Sequence, residues 1–149
     1  MGKPMTRNLL KAGFSVVVYN RSRNAIDELV QSGAIAATSP KNVAEQTDVI
    51  ITCLPDSPDV ETVVLGDNGI LEGARPGLLF IDMSTIAPAT SKKIYSELKA
   101  KGIQSLDAPV SGGDIGAQQG TLSIMVGGET AAYDRALPIL QAMGKNIVH

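Results

Sequence analysis

Cysteine, histidine and aromatic residues are scarce in this 149-residue sequence, which has one Cys, one His, no Trp, two Phe and three Tyr. The single Cys53 excludes an internal disulfide framework. One Cys and one His cannot supply a tetrahedral zinc site, so we expect no metal centre. Because His149 is the only histidine and ends the sequence, we predict no Ser-His-Asp triad.

Excess charge of one sign and long hydrophobic runs are also lacking. Thirteen Lys and Arg residues against 15 Asp and Glu residues give a net charge of −2, so no basic surplus is present to bind nucleic acid. No apolar run approaches the roughly 20 residues of a membrane span, and the sequence does not open with a secretion signal. These absences predict a cytoplasmic protein that binds neither nucleic acid nor a membrane.

What the sequence does contain is an alternation of short apolar runs and segments with helical periodicity. We predict helices at 2–12, 23–31, 41–46, 59–65, 88–100 and 129–143, and strands at 14–19, 34–37, 48–54, 78–82, 103–107, 122–126 and 146–149. Strands separated by helices favour right-handed crossovers and a parallel sheet. The fold class is therefore α/β, a doubly wound, mostly parallel Rossmann-type sheet that binds ligands at the carboxyl ends of its strands.

Both ends of the sequence resemble cuts through a larger fold. A sheet of this kind normally begins with a strand, whereas this chain begins in a helix, and the final strand stops before its turn. We therefore expect residues 1–149 to form one domain that is truncated at both ends, an incomplete sheet that lacks its first strand.

The loop after the first predicted strand has residue types suited to a phosphorylated ribose. In dinucleotide-binding units an acidic residue here binds the 2′-hydroxyl of NAD. Asn20 has no charge to repel a 2′-phosphate, Arg21 can bind one through two hydrogen bonds, and Ser22 can donate another or cap the next helix. The triplet favours NADP over NAD, and a polar turn with a capping serine is the alternative.

The loops after two later strands are candidates for the wall of the same site. Cys53, Leu54 and Pro55 end the strongest strand, and Cys53 is interpreted as a small hydrophobic residue rather than a nucleophile. Ser84 follows the next strand, where it either bonds a cofactor or caps a turn. Gly2 matches only the last glycine of a Gly-x-Gly-x-x-Gly fingerprint, and a small residue after an initiator Met is the alternative.

A third candidate is Ser111-Gly112-Gly113, which follows Asp107-Ala108-Pro109-Val110. Consecutive backbone N–H groups beside one hydroxyl form a suitable seat for a carboxylate, because they surround an anion without bulk. A flexible loop is the alternative.

Taken together, these segments resemble the β-hydroxyacid dehydrogenase family. The matching motifs are Met1–Met5, Asn20-Arg21-Ser22, Leu54-Pro55, Ile81-Asp82-Met83-Ser84-Thr85, the run Asp107–Gly113 and the run Gly120–Gly128. The resemblance covers essentially the whole chain, and Asp107–Gly113 is its most specific part.

The resemblance implies a Rossmann-type NAD(P)-binding domain followed by an all-helical domain, missing here, that builds a homo-oligomer. It implies cofactor contacts from Gly2, Asn20, Arg21, Ser22, Cys53, Leu54, Pro55 and Ser84. It implies that Ser111, Gly112 and Gly113 hold the substrate carboxylate. The family's proton-donating lysine would lie beyond His149, so no catalytic residue is nominated in this chain.

The expected activity is that of an NADP(H)-preferring oxidoreductase of short β-hydroxy acids, with NAD as the other cofactor. The expected reaction is reduction of 2-hydroxy-3-oxopropionate (tartronate semialdehyde) to D-glycerate, and residues 1–149 alone are expected to be inactive. An NAD-dependent 3-hydroxyisobutyrate dehydrogenase, a glyoxylate or succinic semialdehyde reductase, and a non-catalytic nucleotide-binding remnant are the alternatives.

Overall fold

Helices and strands alternate through residues 1–149, all of which the computed structural model describes. The helices are α1 (Gly2–Lys11), α2 (Arg23–Gln31), α3 (Pro40–Gln46), α4 (Ser57–Leu65), α5 (Ile70–Gly73), α6 (Pro88–Ala100), α7 (Gly113–Gln119) and α8 (Thr130–Gln141). The strands are β1 (Val17–Val18), β2 (Ile35–Ala36), β3 (Val49–Thr52), β4 (Leu79–Asp82), β5 (Gln104–Asp107), β6 (Val110–Ser111), β7 (Leu122–Met125), β8 (Gly127–Gly128) and β9 (Gly144–Val148).

The strands pair mostly in parallel, which confirms the predicted fold class. Strands β3, β4 and β5 form a parallel ladder, and β8 joins β5 in the antiparallel sense. Strands β1 and β2 form a separate parallel pair, and β7 pairs with β9 in parallel and with β6 antiparallel. Since β1 bonds only β2 and β3 bonds only β4, each has one edge without a strand partner.

Helices cover both faces of the β3–β4–β5 ladder, because β4 is apolar on both sides. Leu79 and Ile81 point to one core, which also holds Met5 and Leu9 of α1 and the buried side of α8. Phe80 points to the other core, where it packs with side chains from α3, α4, α5 and α6. This alternation of faces is what a strand covered by helices on both sides requires.

Local sequence signals account for most of the helix boundaries. Helices α2 and α6 have the bounds that the spacing predicts. Helix α3 begins as predicted at Ser39-Pro40, with the Ser39 hydroxyl accepting a hydrogen bond from the Asn42 amide at 3.0 Å. This bond satisfies one of the free N–H groups of the first turn.

Several elements differ from the predictions. The strand predicted at 14–19 is reduced to β1, since Phe14 and Tyr19 are exposed at its two ends. Helices α5 and α7 and strands β6 and β8 were not predicted. Two of these four involve a glycine pair, since α7 begins at the second glycine of Gly112-Gly113 and β8 is Gly127-Gly128, and glycine is unfavourable inside a helix or strand. Tertiary contacts therefore decide their structure.

Two further observations concern membranes and metals. No helix is both long enough and apolar enough to cross a bilayer. No three His, Cys, Asp or Glu side chains are grouped closely enough to hold a metal ion.

Candidate functional site

The carboxyl ends of β3, β4 and β5 meet at one edge of the sheet. Their last residues, Thr52, Asp82 and Asp107, are register partners across the three strands. Register partners point to the same face of a sheet, so these three side chains form a polar row on the face that α6 covers. The two cofactor-wall candidates of the sequence, the loops after β3 and β4, start directly beyond this row.

Asp82 is the most buried charged residue of this edge, with only 3% of its surface exposed. Its Oδ1 accepts hydrogen bonds from the Thr52 hydroxyl at 2.8 Å and from the Ser84 amide at 3.0 Å, whereas Oδ2 has no partner. Burial raises the pKa of Asp82 above its ordinary value, and the hydrogen bonds from Ser84 and Thr52 oppose that shift. Burial, and then the charge of Asp82, raise the pKa of Asp107.

Ser84 lies inside the fold rather than on the open surface. It is buried, and its hydroxyl accepts a hydrogen bond from the Leu54 amide at 2.8 Å. The hydroxyl therefore joins the loop after β4 to the loop after β3. Leu54 is half-buried beside it and Pro55 is exposed, and Asp56 caps α4 directly after them.

The start of α1, at Gly2, lies near Cys53 at this edge. Burial raises the pKa of the half-buried Cys53 thiol, and the N-terminal ammonium of Met1 lies near enough to oppose that shift. Gly2 is the exposed first residue of α1, and a Cβ there would meet no atom within 4 Å. The first turn of α1 has no acidic side chain, so its free N–H groups stay attractive to an anion.

Asn20, Arg21 and Ser22 form an exposed turn between β1 and α2. The Asn20 amide nitrogen donates to the Ser22 carbonyl at 3.3 Å. Ser22 occupies the N-cap position of α2, but its hydroxyl makes no capping bond. The predicted N-cap position of Ser22 is confirmed, but the side-chain capping bond is absent, so the hydroxyl keeps its hydrogen-bonding capacity.

Arg21 links this turn to the β3 edge. Its guanidinium lies 3.8 Å from Asp59 Oδ1 in the first turn of α4, yet 81% of the Arg21 side chain is exposed. Such an exposed ion pair contributes little to stability, so the guanidinium is able to turn to another anion at small cost. The structure thus brings the turn after β1 and the loop after β3 to the same side of the molecule.

Ser111, Gly112 and Gly113 form the turn from β6 into α7, and all three are exposed. Gly112 has φ +127° and Gly113 has φ +59°, values that favour glycine strongly. A Cβ on Gly112 would lie 3.3 Å from Leu122 Cδ2. The segment is thus a tight turn packed against Leu122 of β7.

A protein family described as the NAD binding domain of 6-phosphogluconate dehydrogenase matches residues 1–149. The chain belongs to this family of NAD-binding domains. The resemblance to β-hydroxyacid dehydrogenases is confirmed, because the relatives include proteins named 3-hydroxyisobutyrate dehydrogenase and 2-hydroxy-3-oxopropionate reductase.

An NAD-dependent L-serine dehydrogenase of Pseudomonas aeruginosa is 46% identical over 149 residues, which is 100% of this chain and 50% of that protein. A 2-hydroxy-3-oxopropionate reductase of Escherichia coli is 43% identical over 147 residues, 99% of this chain and 50% of the relative. The crystal structure of Mycobacterium tuberculosis 3-hydroxyisobutyrate dehydrogenase with L-serine superimposes with a TM-score of 0.93 at 36% identity, covering 100% of this chain and 50% of its own. This NAD-binding domain therefore spans about half the length of the relatives it matches.

The sequence predictions missed three residues of this NAD-binding domain's edge. Thr52 was predicted only as part of a strand, Asp82 only as part of a strand and of the motif Ile81–Thr85, and Ser57 was assigned no role. The Ser57 hydroxyl accepts a hydrogen bond from the Ala87 amide at 3.0 Å. The available signal was positional, because Thr52 and Asp82 are polar residues that interrupt apolar strands at their carboxyl ends.

Proposed function

We propose that the whole protein is an NADP(H)-preferring oxidoreductase that reduces 2-hydroxy-3-oxopropionate to D-glycerate. The observation that supports this most is the convergence of four separate segments at the carboxyl edge of the sheet: the start of α1, the turn at residues 20–22 and the loops after β3 and β4. Open α/β sheets bind dinucleotides at this edge.

The residues at this edge fit an elongated cofactor that contains a pyrophosphate. The N–H groups at the start of α1, with no acidic side chain near them, suit the pyrophosphate. Cys53, Leu54 and Pro55 form one wall, which the buried Ser84 supports through its bond to the Leu54 amide, and Gly2 lets the backbone of α1 approach closely. When bound, the nicotinamide supplies the hydride, and this domain's residues contribute position and exclusion of water.

The turn at residues 20–22 is the proposed site of the adenosine 2′-phosphate. Asn20 adds no negative charge there, Ser22 has a free hydroxyl, and the Arg21 guanidinium is exposed and weakly paired with Asp59. A guanidinium binds a phosphate through two parallel hydrogen bonds. These features support NADP, while the NAD-dependent serine dehydrogenase named above supports NAD as the second candidate.

Replacing Arg21 with Ala in the full-length protein is expected to weaken NADPH binding about tenfold and NADH binding less than about threefold. A tenfold change corresponds to about 1.4 kcal/mol, which suits the loss of one charge-assisted phosphate contact. Titration of protein fluorescence with each cofactor measures both dissociation constants. Arg75→Ala is the matched control, since Arg75 is exposed and pairs weakly with Asp48 at 3.9 Å. Equal weakening of NADPH and NADH by Arg21→Ala would reject the 2′-phosphate assignment and favour the NAD-dependent alternative.

The turn Ser111-Gly112-Gly113 is the proposed seat of the substrate carboxylate. Its backbone N–H groups and the Ser111 hydroxyl are exposed, and the positive φ angles of both glycines fix their directions. The seat would hold one end of the substrate while the aldehyde carbon meets the nicotinamide, so the domain contributes orientation to the reaction. We propose no catalytic residue among residues 1–149.

Residues 1–149 expressed alone are expected not to oxidise NADPH in the presence of 2-hydroxy-3-oxopropionate. The rate should equal that of a blank without protein. The reason is chemical: reduction of a carbonyl needs a proton donor for the oxygen, and the resemblance places the family's lysine beyond His149. An absorbance assay at the NADPH band, run beside the full-length protein, tests this. Turnover by residues 1–149 would overturn the assignment of the acid to the other half. A full-length protein that binds the cofactor but reduces no aldehyde would favour the non-catalytic module.

The remaining proposals concern the setting of the whole protein. We propose a cytoplasmic homo-oligomer, because the relatives are twice as long as this domain and the resemblance assigns the second half to oligomer formation. The oligomeric state is measurable by light scattering on the full-length protein.

A further inference from the structure

We propose that Asp82 is a positioning residue for the cofactor wall. It would fix the loop after β4 and, through Ser84, the loop after β3, so that the two loops form one preorganised surface. The β3–β4 clasp is our name for four side chains, Thr52, Ser57, Asp82 and Ser84, together with the backbone amides of Leu54 and Ala87 that donate to Ser84 and Ser57. This inference rests on the proposed function, since it concerns the same cofactor site.

The inner end of the clasp is a buried hydrogen-bond junction. Asp82 Oδ1 accepts from the Thr52 hydroxyl at 2.8 Å and from the Ser84 amide at 3.0 Å. All three residues are buried, so Thr52 and Asp82 offer almost no surface to a bound ligand. Their effect on cofactor binding is therefore expected to pass through Ser84 and the loops.

The outer end of the clasp joins the two loops directly. The Ser84 hydroxyl accepts from the Leu54 amide at 2.8 Å, and the Ser57 hydroxyl accepts from the Ala87 amide at 3.0 Å. Helix α4 begins at Ser57 and α6 begins one residue after Ala87. The two bonds thus set the spacing between the starts of two helices, and rigid support of this kind is what a precise binding wall requires.

Burial of Asp82 disfavours the charge of a carboxyl that accepts its hydrogen bonds at Oδ1 alone. Asp107 is its register neighbour on β5, and both carboxyls line a cavity of about 350 Å³ under α6, together with Lys92 and Tyr95. Burial raises the pKa of Asp82. Asparagine, which is neutral and keeps an oxygen acceptor, is therefore the conservative replacement at this position.

The first test measures the clasp without any cofactor. In the full-length protein, Thr52→Val and Asp82→Ala are expected to speed hydrogen exchange of the Leu54 amide at least about tenfold, because local opening exposes a bonded amide to water. The Leu79 amide, bonded to Asp48 at the other end of the strands, is the internal control and should keep its rate. Thr52→Ser and Asp82→Asn keep the bonding atoms and should restore slow exchange at Leu54.

The second test measures cofactor binding and kinetics on the same variants. Asp82→Ala and Thr52→Val are expected to raise the cofactor dissociation constant about tenfold and to leave the KM for the aldehyde within about threefold, with recovery in Asp82→Asn and Thr52→Ser. Thr90→Val is the matched control, because Thr90 is buried in α6 and its hydroxyl makes no bond to the clasp, while valine keeps the backbone bond from the Thr90 amide to the Ala87 carbonyl. If Asp82→Ala does not fold, Thr52→Val carries the test.

The outcomes separate this inference from the proposed function. Wild-type protein that binds no NAD(P)H would overturn both. Wild-type protein that binds the cofactor, with folded Thr52→Val protein that binds it equally well or shows unchanged exchange at Leu54, would overturn the positioning role alone. Loss of thermal stability without a change in cofactor dissociation constant would mean that the clasp serves only the fold.

Discussion

Gly112→Ala is expected to lower kcat/KM of the full-length protein at least about a hundredfold. Gly112 has φ +127° and lies between β6 and α7. Alanine there is strained by about 1–3 kcal/mol, and its Cβ would lie 3.3 Å from Leu122 Cδ2. The turn must shift to relieve both effects, and a displacement of about 1 Å in a positioning element costs about a hundredfold in rate.

Gly13→Ala is the matched control for this prediction. Gly13 also has a positive φ, +92°, but a Cβ there would meet no atom within 4 Å. Its backbone strain is comparable, whereas it follows α1 far along the chain from the Ser111-Gly112-Gly113 turn. Steady-state kinetics and thermal unfolding of both variants separate strain from function. Equal losses of kcat/KM in the two variants would show that Gly112 has no special relation to the substrate.

The α/β fold was predictable because its signals are local. The dipeptide Ser39-Pro40 predicts the start of α3. Helices α2 and α6 have apolar residues at helical spacing between recognisable ends. The apolar run that became β4 is buried on both faces, as expected for a strand between two helical layers. These features need no knowledge of distant residues.

The elements that escaped prediction depend on distant partners. Strand β8 is Gly127–Gly128, and it is a strand only because the backbone of β5 lies beside it. Helix α7 begins at Gly113 directly after a residue with φ +127°, a combination that in isolation indicates a loop. Tertiary contacts override weak intrinsic preference in both cases.

The position of the candidate site at the carboxyl edge of the sheet was predictable from the sequence, but the hydrogen bonds within it were not. The predicted strands place Leu54 and Ser84 at the carboxyl edge of the sheet, but no sequence pattern states that the Ser84 hydroxyl accepts from the Leu54 amide. The role of Asp82 depends on its register with Thr52 and on burial under α6. Register between strands that are 30 residues apart is a property of the folded sheet.

Phe80→Ala is expected to destabilise the protein by about 3–5 kcal/mol, the usual cost of removing a buried phenylalanine side chain. Phe80 is 1% exposed and belongs to the core that contains Ile50, Val60, Ile94 and Leu98. The loss is a large part of the about 5–15 kcal/mol that ordinary domains have in total. Urea unfolding followed by circular dichroism measures the change in unfolding free energy.

Phe14→Ala is the matched control, because it removes the same side chain from an exposed position. Phe14 is 37% exposed and lies in the turn after α1, so its truncation leaves little cavity and should cost less than about 1 kcal/mol. Similar urea midpoints of unfolding for the two variants would mean that the side chains on the α6 side of the sheet close the space left by the Phe80 ring. Closing that space would also move Asp82, which follows Phe80 by two residues on the same face. A destabilised Phe80→Ala protein that still folds should therefore show faster exchange at the Leu54 amide, because the clasp is built on the strand that Phe80 anchors.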